Sequence, residues 1–432
     1  MRKMKDSGIP WIGQIPEDWA LDKLKFCAGL RVEKVAADSS EDLQYVGLEH
    51  VEPQSGRLVS DYEPIFDFSG DAVRYYKDDV LFGKLRPYLA KAYKANGVGK
   101  CSSEFFVMSP ASVSSDFLAF LVLSKGFVDA VNGSTFGVKM PRAEWEFVGN
   151  MKVPLPSLHR QKIIASFLAN RCGQIDSVIA AKEKTNEALK AYRQSVIYEA
   201  VTKGLDPAAP LKDTNIPWIG KIPCSWTVSR LKYLLRSERG AIKAGPFGSS
   251  LQAQDMRGSD VKVYNQRTVL DNDFTSGDDY VSFEKYRELL GFRVDSGDLL
   301  VTTRGTIGKT AIVPMNFQPG ILHPCLIKLK LNEQVVNLKL LSLVFNSTNI
   351  LLEQLRLASN ATTIDVIYTH NLLDILFPLA PVHQQTEILK CLNDKCGQID
   401  AVLAANEAIV KKLREYRQSL IYEAVTGKIA CD

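Results

Sequence analysis

CGQIDSVIAAKEKTNEALKAYRQSVIYEAVT, residues 172–202, and CGQIDAVLAANEAIVKKLREYRQSLIYEAVT, residues 396–426, share twenty of their thirty-one positions. Two such stretches in one chain are an internal duplication, and a duplication constrains a fold before any single motif is read. Neither stretch contains proline, or glycine after its second residue. Both are rich in Ala, Glu, Lys, Leu and Arg, which lose little freedom on entering a helix. Each is therefore predicted to be helical.

Working outward from these stretches, a proline-marked boundary precedes each one, VPLPSLHRQ at Val153 and FPLAPVHQQ at Phe377. A helix running from that boundary to Thr202 or Thr426 has about 47 residues and spans roughly 70 Å at about 1.5 Å per residue. Ile175, Val178, Lys182, Thr185, Leu189, Tyr192 and Val196 step by three and four, as do Ile399, Val402, Asn406, Ile409, Leu413, Tyr416 and Leu420. That stepping predicts a coiled-coil seam in which the two helices pair with each other, and the polar Lys182, Thr185 and Asn406 make it a narrow one. Farther out, IPWIGQIPEDW at Ile9 returns as IPWIGKIPCSW at Ile216 with eight of eleven positions identical.

Between these matched ends the halves diverge. LQYVGLEHV at Leu43 has a loose counterpart in VKVYNQRTV at Val261, and DDVLFGKLRPYLAK at Asp78 in GDLLVTTRGTIGK at Gly297. Short β-rich runs such as VLFG at Val80 and LLVTT at Leu299 are broken by Gly and Pro. An amphipathic helix is expected around Asp116 to Val131 and another around Val336 to Leu355. The fold class is thus α+β, a tandem pseudo-repeat of two mixed α/β domains with two long antiparallel coiled-coil helices. The expected order is a globular domain at 1–155, a helix at 156–205, a second globular domain at 213–380 and a second helix at 381–428. The duplicated tryptophans Trp11, Trp19, Trp218 and Trp226 are read as packing residues.

The 432 residues are 46% hydrophobic with a net charge of +4, an ordinary globular composition. There is no run of eighteen apolar residues, and MRKMKDSGIPW has no stretch suited to an export signal, so a cytoplasmic location is expected. The eight cysteines contain no C-x-x-C pair, which fits reduced thiols. His323-Pro-Cys325, the nearest approach to a metal pair, is assigned a structural role, and no metal ligand is nominated. TTRGTIGKT, residues 302–310, ends like a phosphate-binding loop, but Thr303 stands where that loop needs glycine. Asp78, Asp79 and Lys84 are read as a turn and strand rather than a nuclease centre. No catalytic residue is assigned.

The IPWIG segments, the PLPSLHRQ and PLAPVHQQ boundaries, the AYRQSVIYEAVTKG and EYRQSLIYEAVTGK helix ends, and KAGPFGSSL with GDLLVTTRGTIGK together resemble the specificity subunits of type I restriction-modification systems, over essentially the whole chain. The resemblance implies a non-catalytic, DNA-binding host-defence protein with two target-recognition domains, each reading half of a bipartite asymmetric site in double-stranded DNA. It also implies that the helices dock two adenine-methyltransferase subunits, and that restriction subunits join for cleavage. S-adenosylmethionine, ATP and magnesium would belong to those partners, with no cofactor in this chain. The competing readings are a protein-only coiled-coil adaptor and a stand-alone nuclease or NTPase.

Under that resemblance the diverged loops supply the candidate DNA contacts. In the first domain these are Lys84, Arg86, Tyr88 and Lys91 of GKLRPYLAK, with Lys139 and Arg142 of FGVKMPR. In the second they are Lys243, Ser249, Ser250 and Gln252 of KAGPFGSSLQAQ, Asn265, Gln266 and Arg267 of YNQR, and Arg304, Thr306 and Lys309 of TTRGTIGKT. Guanidinium and amide groups match the paired donor and acceptor patterns of guanine and adenine, and hydroxyls and ammonium groups suit phosphate. The subunit interface is expected at exposed positions around Tyr192, Arg193, Gln194 and Tyr198, with Tyr416, Arg417, Gln418 and Tyr422.

Overall fold

The computed structural model describes residues 3–35, 43–59, 61–63, 65, 70–135, 137, 139–359 and 366–431. The chain forms two compact units, Met1–Lys184 with Asn406–Asp432, and Thr185–Ala405. Both long helices form, over Leu158–Lys203 and Val382–Val425, and each contributes to both units.

In the first unit a four-stranded antiparallel sheet has Ala28–Arg31, Phe105–Pro110, Val80–Gly83 and Ala92–Lys94 side by side. Alternation along its strands produces two cores, because successive side chains point to opposite faces. Val80, Phe82, Phe106 and Met108 face one core with Phe117, Phe127 and the opening-segment Trp19. Leu81, Phe105 and Val107 face a second core with Val46, Tyr75 and Cys101. A further sheet joins Lys34–Val35, Ala72–Tyr75, Gly99–Ser102 and Tyr45–Val46, the last pair parallel.

The second unit repeats the antiparallel sheet and the parallel strand pair. Ile242–Ala244, Leu326–Leu329, Leu299–Thr302 and Thr310–Ile312 form its antiparallel sheet. Val261–Tyr264 lies between Tyr280–Val281 and a parallel Gly320–Leu322. The loose counterparts LQYVGLEHV and VKVYNQRTV therefore occupy matching strands, each paired in parallel with the second strand after the divergent loop.

The boundary motifs have a shared physical role. Gln161 accepts from Ser114 N at 2.7 Å and donates to Pro156 O at 2.8 Å. Gln385 accepts from Asn337 N at 2.6 Å and donates to Ala380 O at 2.8 Å. Both amides are buried and hold the start of a short helix against the start of a long one.

Those short helices depart from expectation. Each of the two amphipathic stretches is split in two, Ser115–Leu123 with Lys125–Gly133, and Leu338–Ser347 with Ile350–Ser359. A hydroxyl residue sits at each break in extended conformation and bonds back to the preceding turn, Ser124 to Leu121 O at 2.6 Å and Thr348 to Val344 O at 2.8 Å. Such back-bonding competes with continuation of the helix.

The seam is also turned by one residue at alternate steps. Val178, Tyr192, Val402, Ile409 and Tyr416 are 41–59% exposed. The covered positions are instead Ile179, Val410 and Arg417 in the first unit, and Asn186, the partly covered Arg193 and Leu403 in the second. At three of these steps the covered residue is polar or charged, Asn186, Arg193 and Arg417, where apolarity favours its neighbour, because a polar residue with satisfied bonds can occupy a covered position. Lys182 and Asn406 do meet in the first unit, Nζ donating to Oδ1 at 3.0 Å. There the helices run antiparallel, since Asp176 pairs with Arg417 while Lys182 pairs with Asn406.

Candidate nucleic-acid interface

In the second unit, three divergent segments chosen from sequence converge on His323-Pro324-Cys325. Gly245 of KAGPFGSSL packs so tightly that a Cβ there would lie 2.1 Å from His323 O. Thr303 donates to Cys325 O through both its amide and its hydroxyl, each at 2.9 Å. The Gln266 side-chain amide lies 3.4 Å from where a Cβ on Gly305 would be, and His323 N donates to Tyr264 O at 2.9 Å. His323 Nδ1 and Cys325 Sγ are 2.8 Å apart. Burial lowers the pKa of His323, with Asp279 opposing and Arg304 adding to the shift. Burial raises that of Cys325. A neutral imidazole beside a protonated thiol is a structural hub, and no third metal-ligating group joins it among the described residues.

The hub presents side chains of differing freedom. Arg304 is exposed, with its backbone bridged to Val366. Thr306 is exposed, and its carbonyl accepts from the Thr302 hydroxyl at 2.6 Å. Ser249 and Ser250 are exposed; Gln252 is exposed too, its amide N–H donating to Asp255 and its side chain accepting from Gln254. Arg267 projects outward, 88% exposed, beside Asp271 at 3.1 Å. Others have internal work. Asn265 caps Gln266–Asp271 by accepting from Arg267 N and Thr268 N, and donates to Asp279 at 2.6 Å. Lys309 donates to Asn346 O at 2.8 Å, and the Lys243 ammonium lies 4.7 Å from the Phe292 ring centroid. Phe247, on the same glycine-flanked turn as the serines, is 82% exposed and was not anticipated from sequence. The one available signal was its position in PFGSS, where an apolar residue has no periodic partner.

In the first unit the two chosen segments also meet. Arg86 N donates to Pro141 O at 2.8 Å, and Ala143 N to Lys84 O at 2.9 Å. Arg142 pairs with Glu104 at 2.7 Å. Tyr88 is 48% exposed, Lys139 is exposed, and Arg86 is half-buried. Lys84 is half-buried with its ammonium 6.0 Å from the Phe106 ring centroid. Lys91 donates to Leu48 O at 2.7 Å, and burial lowers its pKa against the pull of Glu49. Arg86 and Ala90 bracket the 3-10 turn Pro87–Leu89 with φ of 51° and 47°, a left-handed conformation that costs a non-glycine residue about 1–2 kcal/mol.

Asp79 is 2% exposed and accepts from Arg31 Nε at 2.6 Å. On the helices, Tyr192 and Tyr416 are exposed, whereas Tyr198 donates to Trp218 O at 3.1 Å and Tyr422 to Ile12 O at 3.3 Å. Arg193 pairs with Asp400 at 3.0 Å, and Gln194 and Gln418 lie beside these residues. Arg417, expected at an exposed position, is 5% exposed.

The chain is 22% identical over 316 residues to the type I restriction enzyme EcoBI specificity subunit of Escherichia coli, covering 70% of this chain and 64% of that protein. It is 24% identical over 307 residues to the type I restriction enzyme MjaVIII specificity subunit of Methanocaldococcus jannaschii, covering 69% and 67%. The chain is related to type I specificity subunits. The match spans less than two thirds of the first relative's length. A solved chain from a study titled as the structural basis of complex assembly and conformational transition of the type I R-M system superposes with a TM-score of 0.71 at 19% identity, covering 96% of this chain and 99% of that one. That likeness supports the tandem fold of two mixed α/β units on long helices. No family model matches the chain. No described helix is long and apolar enough to cross a membrane.

Proposed function

We propose that this chain is the DNA-reading subunit of a type I restriction-modification assembly, each unit reading one half of a split site and the long helices docking adenine-methyltransferase subunits. One observation carries the reading: two units of matching topology are held on duplicated helices, while the segments that differ most between them gather at the same sheet end in each. A preserved frame with diverged loops suits identical partners and different DNA sequences. The exposed guanidinium of Arg304 and the Ser249 and Ser250 hydroxyls suit base edges and phosphates. In the first unit, Tyr88, Arg86 and Lys139 supply the same chemistry. Asn265, Lys309 and Lys91 shape the loops from within. Chemistry on the DNA is assigned to partner subunits, which would carry the S-adenosylmethionine, ATP and magnesium.

The test is long-read sequencing of methylated adenines in cells that express the chain with its methyltransferase partner, compared with cells lacking the chain. A single split motif present only with the chain is the expected result. Methylation that is unaffected by the chain, or that falls on a continuous motif, would overturn the proposal.

A further inference from the structure

In the first unit, Arg417 of the second long helix holds the turn at Gln54 and Ser55, and that turn bonds the loop that the proposed function assigns to DNA. Arg417 Nη1 donates to Gln54 O at 2.7 Å, Nη2 donates to Ser55 O at 3.1 Å, and Nε faces Asp176 Oδ1 at 2.9 Å. Asp176 is in turn shared with Arg57 at 2.7 Å. Gln54 is left-handed, with φ of 62°, and its amide donates to Ala90 O at 3.1 Å. Ala90 is the left-handed residue that ends loop 84–91, and its own amide donates to Pro87 O. One guanidinium thus holds the carbonyl of a residue whose N–H holds the end of the loop.

The need for such a clamp is local. Gln54, Arg86 and Ala90 all adopt a conformation that Gln, Arg and Ala disfavour, and strained residues persist only where their surroundings over-determine them. The corresponding loop of the second unit uses Gly305 and Gly308 at φ of 62° and 74°, where glycine is not strained. The duplicate of Arg417 is Arg193, in the same YRQS sequence. Its bonds go to Asp400 alone among the described residues, and its side chain is 27% exposed against 6% for Arg417. The arginine is duplicated, and the clamp is built only where the loop is strained.

We propose that Arg417 is a positioning residue for DNA discrimination by the first unit, fixing loop 84–91 through Gln54 so that Arg86 and Tyr88 meet the DNA in one pose. The proposal rests on the DNA-reading function above. Arg417 itself touches no DNA in this scheme. Its planar fork matters, because an ammonium can keep Asp176 company without holding two carbonyls in a fixed direction.

The test uses the full chain with its methyltransferase partner, scoring by methylome sequencing every genomic site that carries one mismatch in either half. The half assigned to the first unit is the one that responds to Arg86→Ala. Arg417→Gln is expected to raise methylation of sites mismatched in that half by roughly tenfold relative to matched sites, comparable with losing one good base contact. Discrimination in the other half should not change. Arg417→Lys should be intermediate, and Arg193→Gln should leave the first half untouched. Equal relaxation in both halves, or unchanged discrimination in the first half, would overturn the proposal. If Arg417→Gln prevents the chain from accumulating, Arg417→Lys carries the same readout and the same two overturning results. If the unaltered chain gives no chain-dependent split motif, it is the DNA-reading function that fails.

Discussion

Loops 84–91 and 303–309 leave equivalent strands of equivalent sheets, and they keep their shapes by opposite means. In the second unit glycine stands at both left-handed positions, and the hub at His323 and Cys325 supports the loop from beneath. In the first, Arg86 and Ala90 take the left-handed positions and a long-range guanidinium holds the far end. Outside glycine, the left-handed residues described in the second unit are Asn215 and Asn272, a residue type that tolerates this conformation, whereas the first unit has Gln54, Asp78, Arg86 and Ala90. A duplicated frame can therefore carry one loop that is shaped by its own sequence and another that is shaped by its surroundings. The second kind is sensitive to residues far away in the chain.

The largest expected effect comes from deleting the second half. A chain ending at Lys203 loses Leu420, Ile421, Ala424 and Val425 from the core of the first unit, together with Arg417. Their duplicates are Val196, Ile197, Ala200, Val201 and Arg193. A second copy of the truncated chain can offer all five, with one methylene fewer at Val196, a deficit of about 0.8 kcal/mol, and with Asn186 in place of a further core residue, Val410. The truncated chain is thus expected to dimerise and, with the methyltransferase, to methylate an inverted repeat of the first half-site. Light scattering and methylome sequencing check the two parts. A monomer, or an asymmetric motif, would break the equivalence of the two helix ends. In this dimer Arg193 takes over the clamp, so Arg193→Gln should relax discrimination there, while in the full chain it is expected to leave the first half unchanged.

A smaller effect is expected at single loop residues. Arg304→Ala should weaken DNA binding by the assembled complex about 10-fold or more and alter the second half-site alone, since a bidentate contact discriminates by about 1–3 kcal/mol. Lys309→Ala acts differently, because its ammonium holds Asn346 O. It should lower the stability of the second unit by about 1 kcal/mol with a weaker change in sequence preference. Electrophoretic mobility shifts on sites altered in one half, read beside thermal melts, separate the two outcomes. A change at the first half-site from either variant would show that loop and half-site are wrongly matched.

The same contrast explains what the sequence could convey. The duplicated ends, the long helices, the boundary glutamines and the positions of VLFG and LLVTT follow from repetition and periodicity, which are local properties. The convergence of KAGPFGSSL, YNQR and TTRGTIGKT was anticipated only as a shared set of candidates. The element that joins them, His323-Pro-Cys325, is assigned a structural role from sequence, but the segments it joins are not legible there, because its bonds run to backbone atoms far along the chain. Arg417 was placed on the surface for a similar reason. Removing one member of a buried ion pair costs about 3–5 kcal/mol, so arginine is a poor guess for a covered seam until Asp176, Gln54 O and Ser55 O are seen around it. Tyr416, beside it, looked the better seam residue and is 57% exposed.

The smallest effect isolates the strain itself. Gln54 and Asn272 are both exposed and both left-handed, at φ of 62° and 49°. Neither buries its side chain, so replacing each by glycine leaves the cores unchanged. At Gln54 the change relieves about 1–2 kcal/mol of backbone strain and adds about 0.5–1 kcal/mol of lost chain entropy, for a small net gain. At Asn272 the relief is smaller, because asparagine already tolerates the conformation, while the entropy loss is the same. For units of this size each kcal/mol moves the melting temperature by about 2–4 °C. Gln54→Gly is therefore expected to raise the transition of the first unit by about 1–2 °C, and Asn272→Gly to leave that of the second unchanged or slightly lower, as read by differential scanning calorimetry. Equal losses from both substitutions would mean that the first unit stores no strain at Gln54, and the argument for a clamp there would lose its physical cause.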